Sequence, residues 1–207
     1  MATELLDGRA LVKLVTPDDH YGPVMLGLRG EHQVDNALVA VRLLEAARRS
    51  GVRVDRGAIE RGLSDVHWPG RLELMELPGG ACLLLDGAHN PHGSRALAAY
   101  LQRWHPERPA LVIGVMRDKD VQGIIDPLLP VVSSVVTTAA DSPRAIPARE
   151  LAARIAATDP GVAVHPESDP ANAVDYALSN SSTVCVAGSI YLVGAVREAL
   201  RHRAILR

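Results

Sequence analysis

The chain has 207 residues, of which 47% are hydrophobic and 22% charged, the balance of a water-soluble globular protein with one large domain or one domain and part of another. A formal net charge of −2 and dispersed arginines offer no basic field for nucleic acid and no polybasic patch for an anionic membrane. No secretory signal opens the sequence, and no apolar run nears the roughly 20 residues of a membrane helix, so the cytoplasm is the expected location.

In chain order, Arg9–Val15 and Val24–Leu28 read as two strands separated by a polar turn that includes Thr16-Pro17-Asp18-Asp19. Helices over Gln33–Arg49 and Arg56–Asp65 follow, with Gly51 as the breaker of the first and Asp55 as the cap of the second. His67-Trp68-Pro69-Gly70 then punctuates the chain. Two strands and two helices make a meagre core, so residues 1–66 are expected to be the tail of a larger domain, a small α+β piece.

From Ala81 onward strand and helix alternate. Strands are expected at Ala81–Leu85, Ala110–Val115, Val131–Thr138, Val162–Val164 and Thr183–Ala187. Helices are expected at Pro91–Trp104, in a short segment carrying Val121, Ile124 and Ile125, and at Ala148–Thr158, Pro170–Leu178 and Ile190–His202. This rhythm predicts an α/β domain over residues 67–207, with a mostly parallel sheet and right-handed crossovers. Cys82 and Cys185 fall in apolar strand-like runs and read as buried thiols; neither belongs to a C-x-x-C pair, so no zinc site is expected.

Polar clusters stand at the carboxyl ends of these strands. They are Asp86-Gly87-Ala88-His89-Asn90, Met116-Arg117-Asp118-Lys119-Asp120, Asp141-Ser142-Pro143-Arg144 and Gly188-Ser189-Ile190-Tyr191. Each has a plain structural reading: Asn90 before Pro91 is a helix cap, the charges around Lys119 a solvated run, Gly188-Ser189 a tight turn. In a parallel sheet, however, all four lie on one edge, the edge where open α/β sheets bind ligands. Asp86 can accept hydrogen bonds from sugar hydroxyls, while Arg71 and Lys119 can pair with phosphate or carboxylate. The helix amino termini after Asn90 and Gly188 offer N–H groups to an anion. No nucleophile–base pair and no G-x-x-x-x-G-K-S/T phosphate loop occurs, so the main phosphate cradle is missing.

Five motifs in order resemble the folylpolyglutamate synthase/dihydrofolate synthase family of the Mur ligase superfamily. Gly30-Glu31-His32-Gln33-Val34-Asp35-Asn36-Ala37 resembles the family's G-x-H-Q-x-x-N-A element, and Pro69-Gly70-Arg71-Leu72-Glu73 its P-G-R-x-E linker. Asp86 to Pro91 matches D-G-A-H-N-P; Gly114 to Asp120 resembles G-x-x-x-D-K-D, and Gly188 to Gly194 the closing G-S-x-Y-L-x-G. The D-G-A-H-N form favours the folate branch over the peptidoglycan ligases.

The resemblance implies a Rossmann-like carboxyl-terminal domain with helices on both faces, preceded by the end of a central ATPase domain. It also implies ATP-dependent amide ligation, in which ATP phosphorylates a carboxylate of dihydropteroate or of a folate glutamyl tail and L-glutamate attacks the acyl phosphate. Arg71 would meet ATP phosphate, Asp86 the ribose and Asn36 the adenine, with His89 and Asn90 lining the nucleotide side. Lys119, Asp118 and Ser189 would serve the glutamate and acyl-phosphate side; Lys119, Asp118 and His89 are the catalytic candidates. ATP and Mg2+ are the implied cofactors, with the Mg2+ ligands mainly in the missing ATPase domain and none assigned here. A carboxyl-terminal fragment, inactive alone, is therefore expected in preference to a split gene product. A stand-alone nucleotide-binding module and a domain of another Mur-type ligase remain as alternatives.

Overall fold

The computed structural model describes residues 2–202. The chain divides into two compact units, with the division between Pro69 and Gly70.

The first unit is a three-stranded antiparallel sheet in the order β1-β2-β3, with β1 at Ala2–Leu6, β2 at Arg9–Val15 and β3 at His20–Arg29, followed by α1 at His32–Arg49 and α2 at Arg56–Asp65. It holds three strands where the sequence reading placed two. β1 joins β2 through Asp7-Gly8, and both residues have positive φ (48° and 73°). That is the geometry of a two-residue hairpin turn, for which Asp-Gly is a favoured pair. β3 also begins earlier than the Val24–Leu28 reading, at His20. Alternate residues of β2 (Ala10, Val12 and Leu14) face a core completed by Tyr21, Val41 and Ile59. Asp55 caps α2 by accepting the Ala58 N–H, and Gly51, at φ 97°, ends α1. Glu45, 1% exposed, accepts hydrogen bonds from the Thr16 and Tyr21 hydroxyls and pairs with Arg42, tying the β2–β3 turn to α1.

The second unit is a six-stranded sheet in the order β4-β5-β9-β6-β7-β8. Its strands are β4 (Glu73–Glu76), β5 (Cys82–Leu85), β6 (Ala110–Ile113), β7 (Ser134–Thr137), β8 (Val164–Pro166) and β9 (Thr183–Ala187). All neighbours pair parallel except β4, which runs antiparallel to β5 at the edge. The sequence reading did not include β4. It also placed a strand over Val131–Thr138, where a 3₁₀ turn at Leu129–Val131 precedes β7, and one over Val162–Val164, where β8 starts at Val164.

The helices are α3 (Pro91–Trp104), α4 (Val121–Ile125), α5 (Ala148–Thr158), α6 (Pro170–Asn180) and α7 (Ile190–His202). Side chains alternate across the pleated strands and so build two cores. Leu84, Leu111, Ile113, Val135 and Cys185 pack against Leu97, Leu101, Ile124, Leu151 and Ile155 of α3, α4 and α5. Leu83, Leu85, Val112, Val136, Val184 and Val186 pack on the other face against Val174, Leu192, Val193 and Val196 of α6 and α7. The sheet thus carries helices on both faces. Full burial of each such aliphatic side chain contributes about 1.5–3 kcal/mol.

This wiring locates a crevice. β5 and β6 both send their following helices to the first face, while β9, lying between them, sends α7 to the second. Adjacent strands whose connections leave in opposite directions open a cleft at their carboxyl ends.

Candidate functional site

Three loops bound the cleft. The loop Asp86–Asn90 follows β5, Gly114–Asp120 follows β6, and Gly188-Ser189 follows β9. They are stitched together by backbone hydrogen bonds: the Gly188 N–H donates to the Ala88 carbonyl (2.9 Å) and the Gly114 N–H to the Ala187 carbonyl (3.3 Å). A Cβ on Gly188 would stand 2.7 Å from the Gly114 carbonyl oxygen, so only glycine allows this approach. α4 closes on the first residue of α3, since a Cβ on Gly123 would meet Pro91 at 2.7 Å.

Asp86 is 8% exposed, and both its carboxylate oxygens accept backbone hydrogen bonds, from Leu72 N–H at 2.9 Å and Ala88 N–H at 2.8 Å. Burial pushes its carboxyl above the usual carboxylate range, against the opposing pull of those two N–H groups and of the charges on Arg71 and His89. Through Leu72, Asp86 reaches the turn Gly70–Glu73. Leu72 has φ 44°, a left-handed conformation that costs an ordinary L-residue roughly 1–2 kcal/mol, and its side chain is buried. The Asp86 hydrogen bond and that burial offset the strain. The same turn is tied to the β5 loop by the Gly87 N–H, which donates to the Gly70 carbonyl at 2.8 Å.

Arg71 is thereby set against the β5 loop, with its guanidinium Nη1 2.7 Å from the point where a Cβ on Gly87 would lie. His89 is half-buried, and its Nδ1 lies 2.9 Å from the Gly87 carbonyl. A carbonyl only accepts, so Nδ1 donates this hydrogen bond, and Nε2 is the ring nitrogen left to face a ligand. Asn90 fulfils the plain reading as the cap of α3, its Oδ1 accepting the Gly93 N–H at 2.8 Å, which leaves its amide NH2 as the group to offer a ligand. Ser189 is 2% exposed, and its hydroxyl accepts the Tyr191 N–H at 3.2 Å.

Lys119 and Asp118 form a second group with Arg144 and Tyr191, members of two other polar clusters on the same sheet edge. Lys119 Nζ lies 3.3 Å from Asp118, and Arg144 lies 3.8 Å from Asp118. The Arg144 guanidinium also stands 5.7 Å over the Tyr191 ring, with a 3.4 Å hydrogen bond to its hydroxyl. The Arg117 N–H donates to the Arg144 carbonyl at 2.8 Å, which brings the β6 and β7 loops together. The hydrogen bond from Lys119 holds the exposed Asp118 carboxyl below its ordinary range. A surface hollow of 510 Å³ starts at Lys119 and continues past Gln122 to Arg154 and Thr158.

Asn36 belongs to the first unit, exposed on α1, where its amide donates to Gln33 Oε1 at 3.0 Å. That unit has its own hollow of 440 Å³, lined by Thr3, Leu5, Glu31, His32, Val34 and Asp35. Among the described residues, no three His, Cys, Asp or Glu side chains gather into a metal site. The magnesium implied by the resemblance therefore finds no ligand set among them.

Residues 70–190 match the protein family described as Mur ligase, glutamate ligase domain. The dihydrofolate synthase/folylpolyglutamate synthase of Mycobacterium tuberculosis is 41% identical over 135 residues, covering 64% of this chain and 27% of that protein. The M. tuberculosis folylpolyglutamate synthase complexed with ADP and AMPPCP matches with a TM-score of 0.86 at 32% identity, over 96% of this chain and 47% of that one. The bifunctional folylpolyglutamate synthase/dihydrofolate synthase of Yersinia pestis, complexed with AMPPNP and Mn ion, matches with a TM-score of 0.64 at 28% identity, over 76% and 37%. The chain spans less than half the length of each of these relatives.

Proposed function

The chain belongs to the Mur ligase family through its glutamate ligase domain, and on that premise we propose that it is the carboxyl-terminal part of an ATP-dependent folate:L-glutamate ligase. The observation that carries the reading is the interlocked pair of Gly70–Glu73 and Asp86–Asn90, which presents Arg71 and His89 beside the cleft at the sheet's switch point. In the proposed reaction a carboxylate oxygen of dihydropteroate or of a folate glutamyl tail attacks the ATP γ-phosphorus, giving an acyl phosphate and ADP. The amine of L-glutamate adds to the acyl carbon, the tetrahedral intermediate expels phosphate, and the nitrogen gives up a proton as the amide forms.

Little covalent chemistry falls to the protein, so catalysis rests on positioning and on balancing developing charge. Arg71 takes ATP phosphate through its guanidinium fork. Asp86, its two oxygens already occupied by backbone donors, faces the ribose with its remaining lone pairs. His89 through Nε2 and Asn90 through its amide line the nucleotide side. Lys119, with Asp118, Ser189 and Arg144 nearby, holds the carboxylates of glutamate and the acyl phosphate.

We assign the first unit to the end of the ATPase domain and the rest of the nucleotide site, phosphate loop included, to a partner domain. Val39 and Leu43, one helical turn apart on α1, are 58% and 65% exposed, an apolar strip of the kind a larger domain covers. No helix of the described residues is long and apolar enough to cross a membrane, and the cytoplasm is the location we assign.

The test supplies the chain with the complementary ATPase domain and follows ATP-dependent incorporation of labelled glutamate into dihydropteroate, folates or muropeptides. Folate-class products, lost in Arg71→Ala, are expected, with no turnover by the chain alone. Muropeptide products, or turnover by the chain alone, would overturn the reading.

A further inference from the structure

The turn that carries Arg71 is held from a direction the proposed reaction does not use. Glu73 opens β4, and its carboxylate is divided between two partners. Oε2 accepts the Gly70 N–H at 2.8 Å, and Oε1 pairs with the Arg197 guanidinium of α7. Both side chains are largely withdrawn from water, at 11% and 14% exposure, although the residues are 124 positions apart. A pair so enclosed is held far more firmly than the exposed ion pairs elsewhere on this unit.

α7 touches the same turn a second time, one helical turn earlier. A Cβ on Gly70 would lie 2.8 Å from Val193 Cγ1, so the glycine rests directly on that valine. Gly70 therefore sits on Val193 while Glu73 is anchored to Arg197, and the two contacts follow one face of the helix. Arg71 lies between two backbone N–H groups that are each held by a carboxylate, Gly70 by Glu73 and Leu72 by Asp86. Leu72 is left-handed at φ 44°, a conformation that persists only where its surroundings enforce it.

The geometry points to Glu73 and Arg197 as positioning residues: together with Asp86 they clamp the Gly70–Leu72 backbone so that the Arg71 guanidinium is aimed at the phosphate of a bound nucleotide. The inference rests on the proposed nucleotide role of Arg71. Neither residue touches the nucleotide; each acts through Arg71. A stabilising ion pair alone would contribute to folding and leave ligand affinity as it is, whereas a clamp couples α7 to Arg71.

Two measurements on the whole chain decide between these. Amide hydrogen exchange of Gly70 and Leu72 is compared in wild type, Arg197→Met, Glu73→Ala and Glu73→Gln, beside a core variant such as Val136→Ala chosen for similar loss of Tm. Exchange at both amides is expected to rise at least about tenfold in Arg197→Met and Glu73→Ala. Glu73→Gln, which keeps an acceptor for Gly70, is expected to rise less, and the core variant not selectively at these amides. ADP is then titrated and followed by amide chemical shifts, with Arg197→Met placed in both the wild-type and the Arg71→Ala backgrounds. Affinity is expected to fall about tenfold in the first background and to stay unchanged in the second, since a residue acting through Arg71 has nothing to act on once it is gone.

Unchanged exchange in Arg197→Met, or an equal loss of ADP affinity in both backgrounds, would overturn the clamp. If Arg71→Ala itself leaves ADP binding intact, the nucleotide role of Arg71 fails instead, and with it the aim of the clamp, while the exchange data still report whether the turn is held by α7.

Discussion

Gly87→Ala separates the placement of Arg71 from the stability of the fold. Gly87 does not occupy the left-handed region, so alanine fits its backbone. The added methyl would lie 2.7 Å from Arg71 Nη1, 3.4 Å from the Gly70 carbonyl and 3.8 Å from Arg71 Cζ. Only the first contact is untenable, and it falls on the end of a flexible side chain. Restoring ordinary van der Waals separation moves the guanidinium by about 1 Å. Reduced backbone entropy in the unfolded chain contributes about 0.4–1 kcal/mol in favour of the variant. A displaced arginine rotamer costs about 0.5–1.5 kcal/mol, so the net change in stability is within about 1 kcal/mol. With Arg71 on nucleotide phosphate, as proposed above, the functional cost is larger. Loss of a charge-assisted hydrogen bond to phosphate costs about 1.5–3 kcal/mol, roughly 10- to 100-fold in affinity. A 1 Å misplacement has a rate effect on the order of 10²-fold. Thermal unfolding together with an ADP titration reads both quantities. A Tm within about 4 °C of wild type and nucleotide affinity at least about tenfold weaker are expected. Unaltered ADP affinity, or collapse of the fold, would refute the placement of Arg71.

Asp86→Asn replaces an acceptor pair by one acceptor and one donor, leaving either the Leu72 or the Ala88 N–H facing an NH2 group; urea unfolding is expected to show a loss of about 1–3 kcal/mol. Because burial raises the Asp86 pKa in the fold, the native state holds this proton more tightly than the unfolded chain. Its contribution to stability is therefore full below the ordinary carboxylate pKa and is lost as pH rises through the folded value, a slope that Asp86→Asn should remove. In the first unit, burial and the hydrogen bond to Glu45 push the Tyr21 phenol up to about 12. Its contribution persists below an ordinary tyrosine pKa of about 10 and disappears as pH rises through about 12, so phenolate absorbance should show a tyrosine titrating last, absent in Tyr21→Phe. Burial also raises the Cys185 thiol, so a disulfide reagent should label that position only on unfolding; rapid labelling of the native protein at Cys185 would contradict its placement in the sheet.

The parallel strands of the second unit were legible because strands covered on both faces are short, uninterrupted apolar runs, as in Leu83–Leu85 and Val184–Val186. β4 was not, since an antiparallel edge strand of half-buried residues flanked by glutamates carries no such run. The apolar density at Val131-Val132 reflects burial of a 3₁₀ turn and its exit, not a ladder. β1 did have a legible cue, the Asp7-Gly8 pair ahead of the alternation in β2. At the site, Asp86, His89 and Asn90 announced themselves by following an apolar run. Glu73 with Arg197 and Arg144 with Tyr191 are paired across 124 and 47 positions, and no local pattern encodes such a pairing. Only the order of strands in the sheet brings them together.

That order also sets two different mechanical characters side by side. At β4 and β5 the polar groups are buried and bound to backbone N–H, so their geometry exists before any ligand arrives and resists change. At β6 and β7 the charges of Asp118 and Arg144 are exposed and Lys119 is half-buried; Asp118 pairs with both cations, and Arg144 also bonds the exposed Tyr191. Exposed pairs of that kind are screened by water and salt and contribute little to stability. An incoming carboxylate can displace Asp118 from Lys119 or Arg144 at small cost, exchanging one solvated ion pair for another. Under the proposed function the preformed half would take the nucleotide phosphates, and the exchangeable half would take the glutamate that enters and leaves as part of the product. Raising ionic strength should therefore weaken glutamate saturation more steeply than nucleotide binding, because salt screens the exposed half and scarcely reaches the buried one.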